Sequence, residues 1–208
     1  AYGLDDSVIQ GYFVWASKAI RGQFGDSWLY NQPVLQKFAS VIWYSFALGL
    51  ASFILEIIIA IPAGVAAARK QYSLTDYSIT VIALIGISLP SFFFATILKW
   101  IFAVKLNWLD LYGIVGRMHQ QLSPMGQFLD IAKHMIMPVL TLTIVSIGAL
   151  MRYTRTNMLE VLNADYIRTA RAKGLPEKKV INHHAFRNIL IPIITLLGGT
   201  LQKSTSES

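Results

Sequence analysis

Tyr77-Ser-Ile-Thr-Val-Ile-Ala-Leu-Ile-Gly-Ile-Ser-Leu-Pro-Ser-Phe-Phe-Phe-Ala-Thr-Ile-Leu98 holds no Asp, Glu, Lys or Arg over 22 residues. At about 1.5 Å per residue, a helix of that length covers a hydrocarbon core of roughly 30 Å. The flanks repeat the pattern. Phe38 to Leu55 is uncharged, Glu56 interrupts, and Ile57 to Ala68 is uncharged again until Arg69 and Lys70. Met135 to Met151 adds 17 uncharged residues, and Ile189 to Leu201 opens another apolar stretch that turns polar at Gln202. Membrane spans are therefore expected at 40–68, 77–104 and 135–158, with 189–201 the start of a further one. The fold class that follows is all-α, a polytopic transmembrane helical bundle.

Composition points the same way. Of 208 residues 54% are apolar and 14% charged, where a soluble domain carries about 25% charge. Cysteine is absent, which excludes disulfide scaffolds, thiolate metal sites and cysteine nucleophiles. The start is not expected to be a secretory signal, because Asp5 and Asp6 come first and no basic region precedes an apolar core.

Eighteen Lys plus Arg against eleven Asp plus Glu leave a net charge of +7, unevenly spread. Residues 1–39 balance three basic against three acidic side chains, and 105–134 hold three against two. Residues 152–188 hold eight basic (Arg152, Arg155, Arg168, Arg171, Lys173, Lys178, Lys179, Arg187) against Glu160, Asp165 and Glu177. By the positive-inside rule the last segment is cytoplasmic. Arg69 and Lys70 fall on the same side when the spans alternate, and residues 1–39 and 105–134 lie outside. A first residue already outside calls for a preceding span, so truncation at one or both ends is expected. In the external 1–39 segment, Tyr12, Phe13, Trp15, Phe24, Trp28 and Tyr30 suit either the headgroup boundary or the packing of a small external subdomain.

Within the basic segment, Asn163-Ala-Asp-Tyr-Ile-Arg-Thr-Ala-Arg-Ala-Lys-Gly174 reads as a short surface helix. Asn163 is expected to cap it, Asp165 to meet the positive end of its dipole, and Gly174 to supply a left-handed stop. Pro176 suits the first position of a second helix. Tyr166, Ile167 and Ala170 share a face. Such a helix is built to be gripped by a partner, or else to lie on anionic lipid.

Tyr166-Ile-Arg-Thr-Ala-Arg-Ala-Lys-Gly-Leu175, followed by His184-Ala-Phe-Arg-Asn-Ile-Leu-Ile-Pro192, resembles the EAA-type coupling loop of ABC-transporter permeases, nearest to the branch that imports dipeptides, oligopeptides and, in some members, nickel. Arg21-Gly-Gln-Phe-Gly-Asp-Ser27, Ile61-Pro-Ala-Gly-Val-Ala-Ala-Ala-Arg69 and Ser88-Leu-Pro-Ser-Phe92 are similar to the same branch. Arg168 and Thr169 stand where the motif's name places Glu-Ala. After Gly199 the family continues into two further helices, whereas here Lys203-Ser-Thr-Ser-Glu-Ser208 follows.

The resemblance implies a membrane-spanning permease subunit of an ATP-driven peptide importer, paired with a second, related permease subunit and served by an extracytoplasmic solute-binding protein. It implies that residues 159–188 form a cytoplasmic coupling loop docking on ATP-binding cassette ATPase subunits. Tyr166, Ile167, Ala170, Arg171, Ala172, Lys173, Gly174 and Leu175 are the coupling contacts so implied. The chain lacks the GxxxxGK[ST] phosphate cradle, so ATP hydrolysis falls to a partner. No cofactor, no nucleic-acid partner and no catalytic residue is expected, since GxSxG, GxGD and HExxH are also absent.

Two other functions compete. Glu56 in mid-span is expensive in hydrocarbon, about 2.5–3.5 kcal/mol on insertion scales. It lines a path, as in an ion-coupled carrier, or bonds a neighbouring helix. An assembly-only fragment of a permease is the other reading. Pro62, Pro90 and Pro138 are expected to kink helices or mark their ends. Lys99 is expected to snorkel to the headgroups, and Gly49, Ser52 and Ala60 to allow close helix contacts. His183 and His184 point about 100° apart on a helix, so neither they nor the lone His119 and His134 are expected to hold a metal.

Overall fold

The computed structural model describes residues 7–206, and the side chains of residues 7–197. Asp5 and Asp6, which enter the signal and charge arguments, and Glu207 and Ser208 of the polar ending lie outside the described residues. The chain divides at Leu50 into two compact units.

In the first unit, α1 (Val8–Ile20) starts at Ser7, whose hydroxyl accepts the Gln10 N–H at 3.4 Å. It ends before Gly22, at φ +76°. Two-residue strands β1 (Asp26–Ser27) and β2 (Gln32–Pro33) pair antiparallel, and α2 (Val34–Arg69) follows at once. No residue of α1 is buried, and Tyr12, Phe13, Trp15, Phe24, Trp28 and Tyr30 are all exposed. These rings are not buried in a core of this unit.

The second unit takes in the rest of α2, then α3 (Leu74–Ser88), α4 (Ser91–Leu98) with a π-helical continuation (Lys99–Lys105), and a 3₁₀ turn at His119–Gln121. Next come α5 (Pro124–Leu162), α6 (Asp165–Ala172), the single turn α7 (Glu177–Lys179), a π-helical segment (Val180–Ala185) and α8 (Phe186–Ser206). Among the described residues three helical stretches are long and apolar enough to cross a membrane: α2, α5 and Glu177–Leu197. A fourth candidate is α3 with α4 and its continuation, bent by 103°.

That bend breaks the span read over Tyr77–Leu98 at Pro90, where a kink or helix end was expected. Pro90 has no N–H to donate and forces Leu89 out of the helical region, to φ −84°, ψ 129°. Pro62 and Pro138 instead lie inside α2 and α5.

Glycine sets how closely the helices approach. A Cβ built on Gly148 of α5 would collide with the Ala83 carbonyl oxygen of α3, and one on Gly86 would stand 2.7 Å from the Ile144 carbonyl oxygen. On α2, a Cβ at Gly64 would meet Thr154 Cβ at 2.7 Å and the Met151 carbonyl oxygen at 2.8 Å. Ser52 and Ala60 are buried. Within the second unit the close contacts run through Gly64, Gly86 and Gly148.

An ion pair fastens α3 to α5. The Asp76 carboxylate, in the first turn of α3 and 3% exposed, accepts from Arg155 Nε at 2.6 Å and Nη2 at 2.8 Å, and from the Tyr72 N–H at 3.0 Å. At that end of the bundle Met158, Ile167, Val180, Ile181, Ala185 and Ile189 form one buried cluster joining α5, α6, the second π-helical segment and α8.

Candidate functional site

Helix α5 closes on Asn163, whose Nδ2 donates to the Leu159 carbonyl at 2.9 Å and whose N–H donates to Glu160 at 3.2 Å. Asn163 therefore caps the end of α5 and not the start of α6. The N-cap of α6 is Ala164, which has no side-chain acceptor. Asp165 opens the helix, and Thr169 Oγ1 donates back to the Asp165 carbonyl at 2.9 Å.

The eight residues of α6 split cleanly by face. Ile167, fully buried, and Ala170 enter the cluster with Met158 and Val180, so they seat the helix on its own protein. Tyr166, Arg168, Thr169, Arg171, Ala172 and Lys173 are exposed, as is Gly174, while Leu175 is half-buried. Arg168 and Thr169 join this surface although the motif comparison passed over them; the 3.6-residue period was the signal that includes them. Partial burial pushes the Tyr166 phenol above its ordinary value.

Gly174 stops the helix at φ +75°. Its N–H donates to the Arg171 carbonyl at 2.9 Å, and the Leu175 N–H to the Ala170 carbonyl at 3.4 Å. Nothing lies within 4 Å of a Cβ placed there, so glycine is needed for its backbone conformation and not for space. Pro176 then stands one position before α7, at its N-cap.

Arg171 folds across this turn and grips Glu177, Nη2 to Oε1 at 2.7 Å and Nε to Oε2 at 3.2 Å. It is thereby part of the frame of the loop, and Lys173 is left as a cation without an ion-pair partner among the described residues. Hydrogen bonding from Arg171 holds the Glu177 carboxyl below its ordinary value, with Arg69 adding a smaller effect. A depressed carboxyl contributes fully above its unfolded value, and the contribution is lost as pH falls through the folded one. The pair is exposed, so it is worth about 0.2–1 kcal/mol. Glu177→Gln at neutral pH is expected to speed amide exchange over residues 172–177 a few-fold, read by hydrogen-exchange mass spectrometry; unchanged exchange would mean the fork does not hold the turn.

Two hollows open at this end of the bundle, one of them beside α6. One of 350 Å³ lies beside Tyr166, Thr169, Lys173, Leu175 and His184. Another of 570 Å³ lies between Arg69, Lys70, Thr75, Glu177 and Ile181, which brings the α2–α3 turn to the same end of the bundle. Glu56 is half-buried on α2 and belongs to neither. His183 and His184 meet edge to face at 5.2 Å.

The far end of α5 carries a second polar group of residues. Asp130 accepts from the Gly116 N–H at 2.9 Å and lies 2.7 Å from His119 Nδ1. Those contacts, the Gly116 N–H foremost, hold its carboxyl below the ordinary range. The His134 ring, 3% exposed, puts Nδ1 at 2.8 Å from the Asp130 carbonyl oxygen and Nε2 at 3.5 Å from Asp110. Asp110 also meets Lys133 at 3.2 Å. The segment between the π-helical turn and α5 is thus tied down on α5 at two carboxylates.

Residues 60–204 match the family described as the binding-protein-dependent transport system inner membrane component. The chain belongs to this family. The match takes in the close-packed part of α2, the broken α3–α4 pair, all of α5 and the whole α6–α7 loop. Membership makes the chain a multi-pass membrane protein of transport type, in accord with its apolar helices. It is 39% identical over 198 residues to the oligopeptide transport system permease protein AppB of Bacillus subtilis, covering 95% of this chain and 61% of that one. To the oligopeptide transport system permease protein OppB it is 37% identical in Escherichia coli K12 and 35% in Salmonella typhimurium, in each case over 95% of this chain and 60% of the relative. The chain spans about three fifths of the length of these curated relatives.

Proposed function

We propose that this member of the family is a permease subunit of an ATP-driven importer of peptides. A soluble binding protein outside the membrane delivers the peptide, a second related permease completes the path, and ATP-binding cassette subunits dock on α6 from the cytoplasm. The chain performs no catalysis of its own. The observation that carries this reading is the construction of α6. Its apolar face is spent on its own core through Ile167 and Ala170, while Tyr166, Arg168, Thr169 and Lys173 stand outward on a turn fixed by Gly174 and the Arg171–Glu177 fork. A helix held so firmly passes a push on its outer face directly to α5 and α8. The relatives' role in oligopeptide transport supports the choice of substrate.

Co-purification from membranes tests the docking. Tyr166→Glu with Lys173→Glu leaves the buried face alone and is expected to lower recovery of the ATPase about tenfold or more, as loss of interface anchors does. Gly174→Val, which must strain the left-handed position, is expected to act in the same direction. Equal recovery with wild type and both variants, the chain remaining inserted, would remove α6 as the docking element.

A further inference from the structure

Beneath the segment that Asp110 and Asp130 tie down lies a cavity of 420 Å³, inside the range of about 300–1,000 Å³ usual for small-molecule sites. Its polar lining is Lys99, Asp110, Tyr112, His134 and Thr141, and the rest is apolar, with Leu111, Met137 and Leu142 among it. Lys99 opens the π-helical turn, a distortion that is frequent at functional sites.

The charges in this lining are not equivalent. Asp110 already pairs with Lys133 at 3.2 Å, while the buried His134 Nε2, 3.5 Å from it, makes no hydrogen bond among the described residues. Lys99 has no carboxylate within ion-pair distance among the described residues; its ammonium stands over the Tyr112 ring, 5.0 Å from the centroid. That contact steadies the amine yet uses no acceptor, so its N–H donors stay available. An entering ammonium would have to compete with Lys133 for the one lining carboxylate, whereas an entering carboxylate would find a free donor.

The geometry points to this cavity as a binding site for the C-terminal carboxylate of a short peptide whose last side chain is apolar. Lys99 pairs with the carboxylate, and Leu111, Met137 and Leu142 receive the side chain. The choice of a peptide rests on the import reading above; the choice of a carboxylate rests on the cavity alone. Lys99 is then a binding residue and not a snorkelling one.

The test uses native membranes holding the assembled transporter. Acylation of Lys99 by an amine reagent is followed by mass spectrometry with leucyl-leucine, with its C-terminal amide, or with neither. Leucyl-leucine is expected to slow labelling about threefold or more once it exceeds twice its dissociation constant. The amide is expected to have no effect, and Lys105, which stands over Trp100 on the same turn, to label at one rate throughout. Binding of radiolabelled leucyl-leucine should fall about tenfold in Lys99→Met and persist in Lys99→Arg. Equal labelling with acid and amide overturns the inference, as does slowing by added phospholipid only, which would make a lipid phosphate the occupant. Peptide uptake by the same membranes with Lys99 unprotected removes the site and keeps the import reading. Protection of Lys99 by acetyl-leucine without any peptide uptake keeps the site and removes that reading.

Discussion

Gly148→Val is expected to leave little folded protein. The added carbons would have to enter the space held by the Ala83 carbonyl oxygen and by Ile87 Cγ1, 2.9 Å from a built Cβ. Backbone on a packed helix cannot step aside as a side-chain tip can, so α3 and α5 must separate. Overpacking of this kind costs about 1–3 kcal/mol even for small additions, a large part of a total stability of about 5–15 kcal/mol. Separation would also disturb Gly86 against Ile144 one turn away. The expected result is a broad or absent monodisperse peak in detergent and a lowered melting temperature, with Gly148→Ala intermediate. A Gly148→Val protein that melts with the wild type would mean that the helices do not approach this closely.

The second large effect is expected at the ion pair between Asp76 and Arg155. Arg155→Ala leaves a carboxylate that is 3% exposed with the Tyr72 N–H still donating to it. Leaving a buried charge unpaired costs about 3–5 kcal/mol. Asp76→Asn with Arg155 kept should cost less, because the guanidinium is 28% exposed and reaches water. Asp76→Leu combined with Arg155→Met removes both charges and should recover much of the loss. Thermal melts of the four proteins, assembled as a double-mutant cycle, provide the check. Strictly additive losses would mean that the two groups are not coupled in the membrane.

Much of this architecture was legible from charge alone. The uncharged runs located the helices because hydrocarbon tolerates few ionised side chains, and the eight basic residues of 152–188 marked the segment that carries α6. The bend at Pro90 was half legible: proline announces a break, but its angle depends on what α4 packs against. Other features could not be read. Asp76 and Arg155 lie 79 positions apart, and nothing local pairs them. The identity of the glycines at helix crossings depends on how each helix is rotated, which an apolar run does not encode; hence Gly148 was overlooked.

At α6 the residue types pointed to the helix and its stop, since Gly174 needs only local backbone reasoning. The division of its faces needed the core: Ile167 is an anchor because Met158 and Val180 lie behind it. Arg171 was open to a partner on paper, and only the return of the chain through Gly174 and Pro176 brings Glu177 within its reach.

Helix α5 runs unbroken for 39 residues, about 58 Å at 1.5 Å per residue. In its N-terminal half it holds His134 and Met137 in the cavity wall, and after Asn163 and Ala164 at its other end α6 begins. Cavity and α6 are therefore mounted on one rod. Its softest joint is Pro138, itself in the cavity wall, where the ring removes the bond that would have tied that turn to His134. A load applied at α6 is relieved where the rod yields most readily, so flexure would appear beside Lys99, most of the rod's length away from where the force enters.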